Sequence, residues 1–398
     1  MKLSEKFVRI NYTALKMQMP NVSQIVIKNA NFFTGKGVEY KRSLLIKGSR
    51  FVKFCKEYEI PEDYLVIDAE GLNISPGFID CQVNGACGIP VSLDLTSSKY
   101  EQIAEVLAVS GTTRWLPTLL SPKKEELLSF PEIKQLKKSG VLGFHIEGPL
   151  ISDQFRGFHP KSQVRNKLTD TEISSIVRLA DECKVVLTCC PQKINALNLP
   201  EKHNIILSAG HTECDYETAC EFFRSGGRAV THAFNATPAV KARVPNVVNA
   251  AQDVKGTYIS VINDGVHVHS SVVRMLKRSS ASNSLFFVSD LMPAYNNPNS
   301  ASTFYGKVII EKKDKLVDIH GNLAGSNSPL LKAVKHSVQN VGIPLDESLR
   351  MATLYPAEYL GISDAFGKIE DNYIADLVAF DNQFNISFVL RNGSFVFS

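Results

Sequence analysis

The sequence predicts an α/β fold, a (β/α)8 TIM barrel joined to a small β-sandwich that both ends of the chain form together. Through the middle of the chain, eight apolar strand-like runs occur, many of them separated by helical segments. Before and after that region only short strands and turns occur, too few at either end to bury a core alone. The length of 398 residues suits one barrel of about 250 residues with a second, smaller unit.

These patterns also predict the boundaries. Residues 1–20 form an N-terminal extension, which has no apolar core of signal-peptide length and to which we assign no function. Residues 21–73 and 364–398 form the discontinuous β-sandwich, whose last strands meet at an Asn392-Gly393 hairpin turn. Residues 74–363 form the barrel.

The barrel strands are predicted from their apolar runs: GFIDCQV, GTTRWLPTL, VLGFHIEG, KVVLTC, NIILSAGH, RAVTHAF, GTYISVIND and LFFVSD. Helical patterns over 98–110, 170–181, 215–225 and 271–279 separate many of them. Eight strands in this rhythm favour a closed parallel barrel over an open sheet. Glycine-rich phosphate loops of the GxGxxG or GxxxxGK[ST] type do not occur, so the sequence does not support nucleotide binding.

Composition narrows the possible partners and the compartment. The net charge of +4 is small, and no block of Lys and Arg resembles a nucleic-acid-binding stripe, so we expect no nucleic-acid partner. No apolar stretch approaches the ~18 residues of a membrane span, so we expect no membrane association. The 8 cysteines form no CxxC motif and no regular framework, which indicates reduced thiols and a cytoplasmic location.

Two histidines follow successive strands of the predicted barrel. His211 comes directly after the run 205–209, and His232 ends the next apolar step. A histidine alone is often a hydrogen-bonded interior residue. Two histidines at equivalent places in successive strand–helix units favour a functional role instead, because the C-terminal ends of barrel strands form the active site. Two imidazoles that converge there are typical of a catalytic zinc site.

Two carboxylates occupy comparable positions. Glu147 ends a third strand just before Gly148-Pro149, and Glu is rarely buried without a partner. It is therefore the candidate for the third ligand of a site with two histidines, one glutamate and an open position for water. Asp290 ends the last strand. A helix N-cap is one interpretation of this residue, and a general base beside a metal-activated water is the other.

Six motifs of the sequence resemble those of a known family. The motifs are PGFID (76–80), HIEGP (145–149), SAGHT (208–212), THAFNATP (231–238), NDGVHVH (263–269) and VSD (288–290). They resemble the amidohydrolase superfamily and, within it, the N-acetylglucosamine-6-phosphate deacetylases. The resemblance extends from about residue 25 to the C-terminus. It implies metal-dependent hydrolysis of N-acetyl-D-glucosamine 6-phosphate to D-glucosamine 6-phosphate and acetate, and a homodimer.

The resemblance also implies the number of metal ions. Many amidohydrolases end the first strand with His-x-His, which holds a second metal, whereas this chain has Gln82-Val83-Asn84. Neutral amides are poor zinc ligands. We therefore expect one divalent ion per chain, with zinc as the expected metal and Glu147, His211 and His232 as ligands. Gln82 and Asn84 can equally be ordinary polar residues at a strand end.

The remaining site residues are assigned by the same resemblance. Asp290 and His159 are the catalytic candidates, with His159 near the acetyl group. The substrate-binding candidates are Asn235, Ala236, Arg243, His267, Gln82 and Asn84. Arg243 matches a phosphate contact that relatives associate with the dimer interface, so it can serve the neighbouring subunit. His269 receives no role.

The sequence leaves two alternative functions open. N-acetylgalactosamine 6-phosphate differs from the first substrate at one hydroxyl group, and the motifs do not separate the two sugars. A barrel that lost catalysis and serves as an amidohydrolase-like binding protein is the second alternative. It is disfavoured because Glu147, His211, His232 and Asp290 are all present.

Overall fold

The computed structural model describes residues 23–194, 204–297, 302–313 and 315–397. The predicted N-terminal extension, residues 1–20, lies outside this described part of the chain. Backbone contacts divide the described residues into two compact units. The smaller unit comprises the chain up to Ile79, Leu107–Thr113 and the chain from Leu345 onward, and the larger unit comprises Asp80–Val106 and Arg114–Pro344.

Eight parallel strands form the barrel sheet, and they are hydrogen-bonded in chain order. We number them β1 (Phe78–Val83), β2 (Thr112–Leu120), β3 (Gly143–Glu147), β4 (Lys184–Cys189), β5 (Ile205–Ala209), β6 (Ala229–Val230), β7 (Tyr258–Val261) and β8 (Leu285–Phe287). Nearly all of these residues are buried, as expected of parallel strands that are covered on both faces. The predicted fold class is confirmed.

Glycines set both ends of β3. An added Cβ at Gly143 would lie 1.8 Å from the carbonyl oxygen of Lys184, so only glycine fits where β3 begins beside β4. At the other end, Gly148 has a φ of +79°, which ends the strand directly after Glu147. The sequence therefore places the Glu147 side chain at the C-terminal mouth of the barrel.

Single contacts close the barrel between β1 and the segment that follows β8. Leu291 forms parallel bridges with Val83 and with Ser326. The Asp80 carboxylate accepts a hydrogen bond from the backbone N–H of Ser289 at 3.2 Å. Because these contacts lie on both sides of Asp290, they hold that residue against the C-terminal end of β1.

Helices alternate with the barrel strands as predicted. The helix Asp170–Glu182 begins at a capping box, in which Thr169 accepts a hydrogen bond from the Glu172 N–H and the Glu172 carboxylate accepts one from the Thr169 N–H. The α-helices of the described residues are Ser97–Ala108, Lys124–Leu127, Ile133–Leu136, Asp170–Glu182, Pro191–Ile194, Tyr216–Arg224, Val247–Asp253, Ser270–Ser279, Leu330–His336, Leu345–Arg350 and Leu354–Leu360. Shorter 3-10 turns are Glu57–Glu59, Lys137–Ser139 and Lys161–Gln163, and a π-helical turn follows at Ser337–Val341.

The smaller unit contains two sheets, of which the first is built from the N-terminal part of the chain and the second from both chain ends. One sheet holds, in spatial order, Arg50–Cys55, Ser43–Lys47, Gln24–Lys28 and Leu65–Asp68. The other holds Ser394–Phe397, Ile386–Arg391, Leu377–Phe380, Asn73–Pro76, Asn31–Phe33 and Val38–Glu39. Asn392 and Gly393 both have positive φ, so the predicted hairpin turn is confirmed. Side chains from both sheets, including Phe32, Phe51, Leu377 and Phe388, form one core.

Two small sheets were not predicted. Gly85–Ala86 pairs with Ile89–Pro90, and after β8 an antiparallel sheet forms from Ser302–Phe304, Lys307–Lys312 and Lys315–Val317. The second sheet packs Phe304 and Ile309 against Leu120 and Phe158. Within the described residues, no helix has both the length and the apolar character that crossing a membrane requires.

Candidate active site

Three buried side chains meet at the C-terminal mouth of the barrel. Glu147 is the last residue of β3, and His211 and His232 each lie two residues beyond the ends of β5 and β6. Both histidines have positive φ, 47° for His211 and 34° for His232. That conformation is uncommon for residues other than glycine, and residues held in such conformations cluster at functional sites.

The side-chain atoms of this group form a tight triangle. His232 Nε2 lies 2.8 Å from Glu147 Oε1, His211 Nε2 lies 3.2 Å from the same oxygen, and the two Nε2 atoms are 3.1 Å apart. Ligands of a tetrahedral zinc ion with bonds of about 2.0 Å are about 3.3 Å apart, so the triangle is close to the size a metal ion needs. In the described ranges, this is the sole group of His, Cys, Asp or Glu that could hold a metal.

A hydrogen bond sets the tautomer of His211, one of the two histidines of the triangle. His211 Nδ1 lies 2.8 Å from the carbonyl oxygen of Phe155, which can only accept. The proton of a neutral ring is therefore on Nδ1, and Nε2 presents its lone pair to the triangle. Two imidazole nitrogens and one carboxylate oxygen, all facing one point, match the donor set of a catalytic divalent metal.

The Glu147 carboxylate remains ionised although it is buried. Burial by itself raises its pKa, but interactions with His159, His211 and His232 outweigh burial and hold the pKa well below its usual range. Gln82 also donates its amide N–H to Glu147 Oε1 at 3.0 Å. Gln82 does not line the cavity, so in this structure it contacts the Glu147 carboxylate rather than the space for a substrate.

Asp290 lines the same cavity as Glu147, His211 and His232, and it has a φ of +50°. Its Oδ1 accepts a hydrogen bond from the Asn84 side chain at 2.7 Å. Burial, followed by the negative charge of Glu147, raises the pKa of Asp290 to about 6. A carboxylate whose pKa lies near neutrality can accept a proton and return it.

His159 directs one ring nitrogen into the cavity. Its Nδ1 lies 2.8 Å from the hydroxyl oxygen of Ser121. Its Nε2 lies 3.6 Å from Glu147 Oε2, beyond hydrogen-bonding distance, and has no hydrogen-bond partner among the described residues. Burial and the nearby His211 lower the pKa of His159 to about 4, so the ring is neutral. If Ser121 donates to Nδ1, the single ring proton is on Nε2 and faces the cavity.

These residues surround a cavity of about 160 Å³. Of the predicted substrate-binding residues, Asn84, Asn235, Ala236 and His267 line it. Arg243 does not; it lies on an exposed turn that the backbone of Lys241 and Val244 closes. His269 caps the helix Ser270–Ser279 by accepting a hydrogen bond from the Ser271 N–H.

Sequence reasoning missed several residues of this site. Ser121 directly follows β2, so its place at a strand end was a signal that could have identified it. Phe155 contributes only its carbonyl oxygen, which no side-chain pattern reveals. Asp264 lies inside the NDGVHVH motif, and its carboxylate contacts His267.

Comparisons with known proteins agree on one family. A model described as the amidohydrolase family matches residues 73–396. The chain is 30% identical over 360 residues to the N-acetylglucosamine-6-phosphate deacetylase of Haemophilus influenzae, covering 88% of this chain and 93% of that protein. It is 29% identical over 313 residues to the N-acetylgalactosamine-6-phosphate deacetylase of Shewanella sp. (strain ANA-3), covering 77% and 78%. A solved N-acetylglucosamine-6-phosphate deacetylase from Pasteurella multocida superposes with a TM-score of 0.84 at 30% identity, covering 94% of this chain and 99% of that one.

Proposed function

The chain belongs to the amidohydrolase family, and we propose that it hydrolyses the acetamide bond of N-acetyl-D-glucosamine 6-phosphate to D-glucosamine 6-phosphate and acetate. The family match and the relatives confirm the family that the sequence motifs predicted. The observation that carries the proposal is that the triangle of Glu147, His211 and His232 lines one cavity together with Asp290.

We propose that the triangle holds one divalent ion, with zinc as the metal. The amidohydrolase family is metal-dependent, and two imidazoles with one carboxylate are typical of catalytic zinc. A bound divalent ion supplies Lewis acidity, which lowers the pKa of water and polarises an amide carbonyl. The amides of Gln82 and Asn84 donate hydrogen bonds to Glu147 and Asp290, which supports one ion per chain rather than two.

Asp290 moves the proton in the proposed reaction. It accepts the proton of the attacking water through the carboxylate and transfers it to the departing amine nitrogen, which would otherwise leave as a poor anion. Asn84 binds Oδ1 at 2.7 Å, and no described residue forms a hydrogen bond with Oδ2, which is therefore the oxygen that transfers the proton.

His159 stabilises the negative charge that develops on the acetyl oxygen. Its neutral ring, with Nδ1 bound by Ser121, is suited to donate through Nε2. A donor of this kind contributes about 3 kcal/mol to transition-state stabilisation. Because the ring is buried and packed against His211 with centroids 4.5 Å apart, it is already oriented before substrate binds.

Asn235, Ala236 and His267 line the same cavity and hold the phosphorylated sugar. We propose that Arg243 completes this binding across a homodimer. Its exposed turn carries two apolar residues, Val240 at 44% and Val244 at 58% exposure, which a second copy of the chain would cover.

Free thiols at all 8 cysteines support a cytoplasmic location.

The second candidate substrate is N-acetylgalactosamine 6-phosphate. It is supported by the relative that acts on this sugar, whose identity to the chain is 29% against 30% for the N-acetylglucosamine enzyme. An acetate-release assay on both sugar phosphates, together with metal analysis of the purified protein, decides between them. Higher kcat/KM on the galacto substrate would reverse our assignment, and two metal ions per chain would contradict the proposed single ion.

The Asp290→Asn variant tests the proton-transfer role. It should keep its metal, because Asp290 is not part of the triangle, and it should lose turnover on either sugar phosphate. Unchanged turnover would remove Asp290 from the mechanism, and loss of metal would make it a ligand.

A further inference from the structure

His267 has hydrogen-bond acceptors on both ring nitrogens. Nδ1 lies 2.7 Å from Asp264 Oδ2, and Nε2 lies 3.1 Å from the backbone carbonyl oxygen of Ala324. An ionised carboxylate and a carbonyl can only accept hydrogen bonds. Both contacts are therefore made together only when both ring nitrogens carry a proton, which is the positively charged imidazolium.

Asp264 is held in place by its own backbone contacts. Its Oδ1 accepts hydrogen bonds from the N–H groups of Val266 and His267, both at 2.9 Å, which leaves Oδ2 for the ring. The side chains of His267 and Asp264 are 6% and 7% exposed. Burial lowers the pKa of His267, but the hydrogen bond and charge of Asp264 outweigh burial, so the pKa is raised. Burial raises the pKa of Asp264, but its hydrogen bonds and the charge of His267 outweigh burial, so this pKa is lowered.

Other charged groups face the pair from neighbouring elements. On the active-site side, the charge of Asp290 favours the protonated ring. On the other side, Asp264 lines a separate cavity of about 280 Å³, to which the helix Leu330–His336 contributes Lys332, Lys335 and His336 and the strand Lys307–Lys312 contributes Glu311. The charges of the two lysines are balanced there by those of Glu311 and Asp264. Of these groups, Asp264 is the one that forms a hydrogen bond with the His267 ring.

We propose that Asp264 is a positioning residue, which keeps His267 permanently cationic and thereby makes this end of the cavity selective for a ligand with an anionic group. The inference rests on the proposed function, since it concerns the phosphate end of the same substrate. The ring lines the active-site cavity, and the 3.1 Å contact of Nε2 with Ala324 is long for a charge-assisted bond. A phosphate oxygen that approaches Nε2 would share or take over this donor.

The test uses the full-length, metal-loaded protein and the Asp264→Asn variant, which keeps the size of the side chain and removes its charge. We expect KM for the phosphorylated substrate to rise about tenfold, because a charge-assisted hydrogen bond is about twice as strong as a neutral one. The inhibition constant of unphosphorylated N-acetylglucosamine, used as a competing ligand, should change less than about twofold. Equal changes for both ligands, or no change for either, would overturn the proposal.

A second measurement reads the ring itself. Nitrogen NMR of the histidine side chains, with His267→Gln to assign the signal, should show both ring nitrogens of His267 protonated at pH 7.5 in the unsubstituted protein and a neutral ring in Asp264→Asn. His267→Gln should itself raise KM for the phosphorylated substrate, so the proposal stays testable if Asp264→Asn does not fold. A neutral ring in the unsubstituted protein would refute it.

Asp381→Asn is the matched control. Asp381 Oδ1 also accepts two backbone N–H bonds in a turn, from Gln383 and Asn385, but its side chain does not line the active-site cavity. This variant should leave KM and the His267 signal unchanged.

If the unsubstituted protein releases acetate from neither sugar phosphate, the proposed function fails, whereas NMR still decides whether Asp264 keeps His267 charged.

Discussion

Gly325→Ala should slow the reaction about 100-fold without removing the metal. Gly325 lines the cavity beside Asp290. An added Cβ would lie 2.5 Å from the Asp290 carbonyl oxygen, 3.0 Å from its Oδ2 and 3.0 Å from Met292 Cγ. The shortest of these is about 0.9 Å below ordinary van der Waals contact, so Asp290 has to move by that order. A misplacement of about 1 Å at a reacting group costs about 100-fold in rate.

The assay is steady-state acetate release, combined with metal analysis and thermal unfolding. The free energy of unfolding should fall by about 1–3 kcal/mol, as for other overpacked sites. Bound metal should stay unchanged, because the atoms that the added Cβ would meet belong to Asp290 and Met292 and not to Glu147, His211 or His232. The control is Gly37→Ala, where the added Cβ meets no atom within 4 Å. A kcat for Gly325→Ala within about twofold of the unsubstituted enzyme would refute the argument that Asp290 needs its present position.

Three further predictions follow from individual contacts. Gln82→Met should weaken metal binding about tenfold, measured by competition with a chelator, because Gln82 orients the Glu147 carboxylate; an unchanged affinity would make that hydrogen bond irrelevant to the metal. Arg243→Ala should raise KM about tenfold with little change in kcat, since a phosphate contact binds substrate and transition state alike; an unchanged KM would exclude Arg243 from phosphate binding. Asp80→Asn should stabilise the protein more at pH 8 than at pH 5, since burial raises the pKa of Asp80 from 3.8 to about 7 and its Oδ2 has no hydrogen-bond partner among the described residues. A raised carboxyl pKa means that the folded state binds the proton more tightly, so the stability that Asp80 contributes is complete below its unfolded pKa and is lost as pH rises towards 7, by roughly 4 kcal/mol in total. Equal melting-temperature shifts at both pH values would contradict this assignment.

Local patterns were sufficient to predict the barrel and the strands that carry its site. A strand is marked by a short apolar run, and the C-terminal ends of parallel barrel strands meet at one mouth. The residues that end or follow those runs, Glu147, His211, His232 and Asp290, could therefore be predicted to lie together before any contact was known. The inserted sheet at 302–317 could not, because its short strands are interrupted by turns and carry no clear period.

The sequence by itself determined the fold class, the family and the strand ends at which the proposed metal ligands and the proposed proton-transfer group lie. The tertiary structure decided which atoms face each other: Gln82 contacts Glu147, and Asn84 contacts Asp290. It also showed Arg243 on an exposed turn outside the cavity. The physical reason is that strand periodicity depends on neighbours along the chain. A hydrogen bond between residues 65 or 206 positions apart depends instead on barrel register and side-chain rotamers, which only the closed barrel sets.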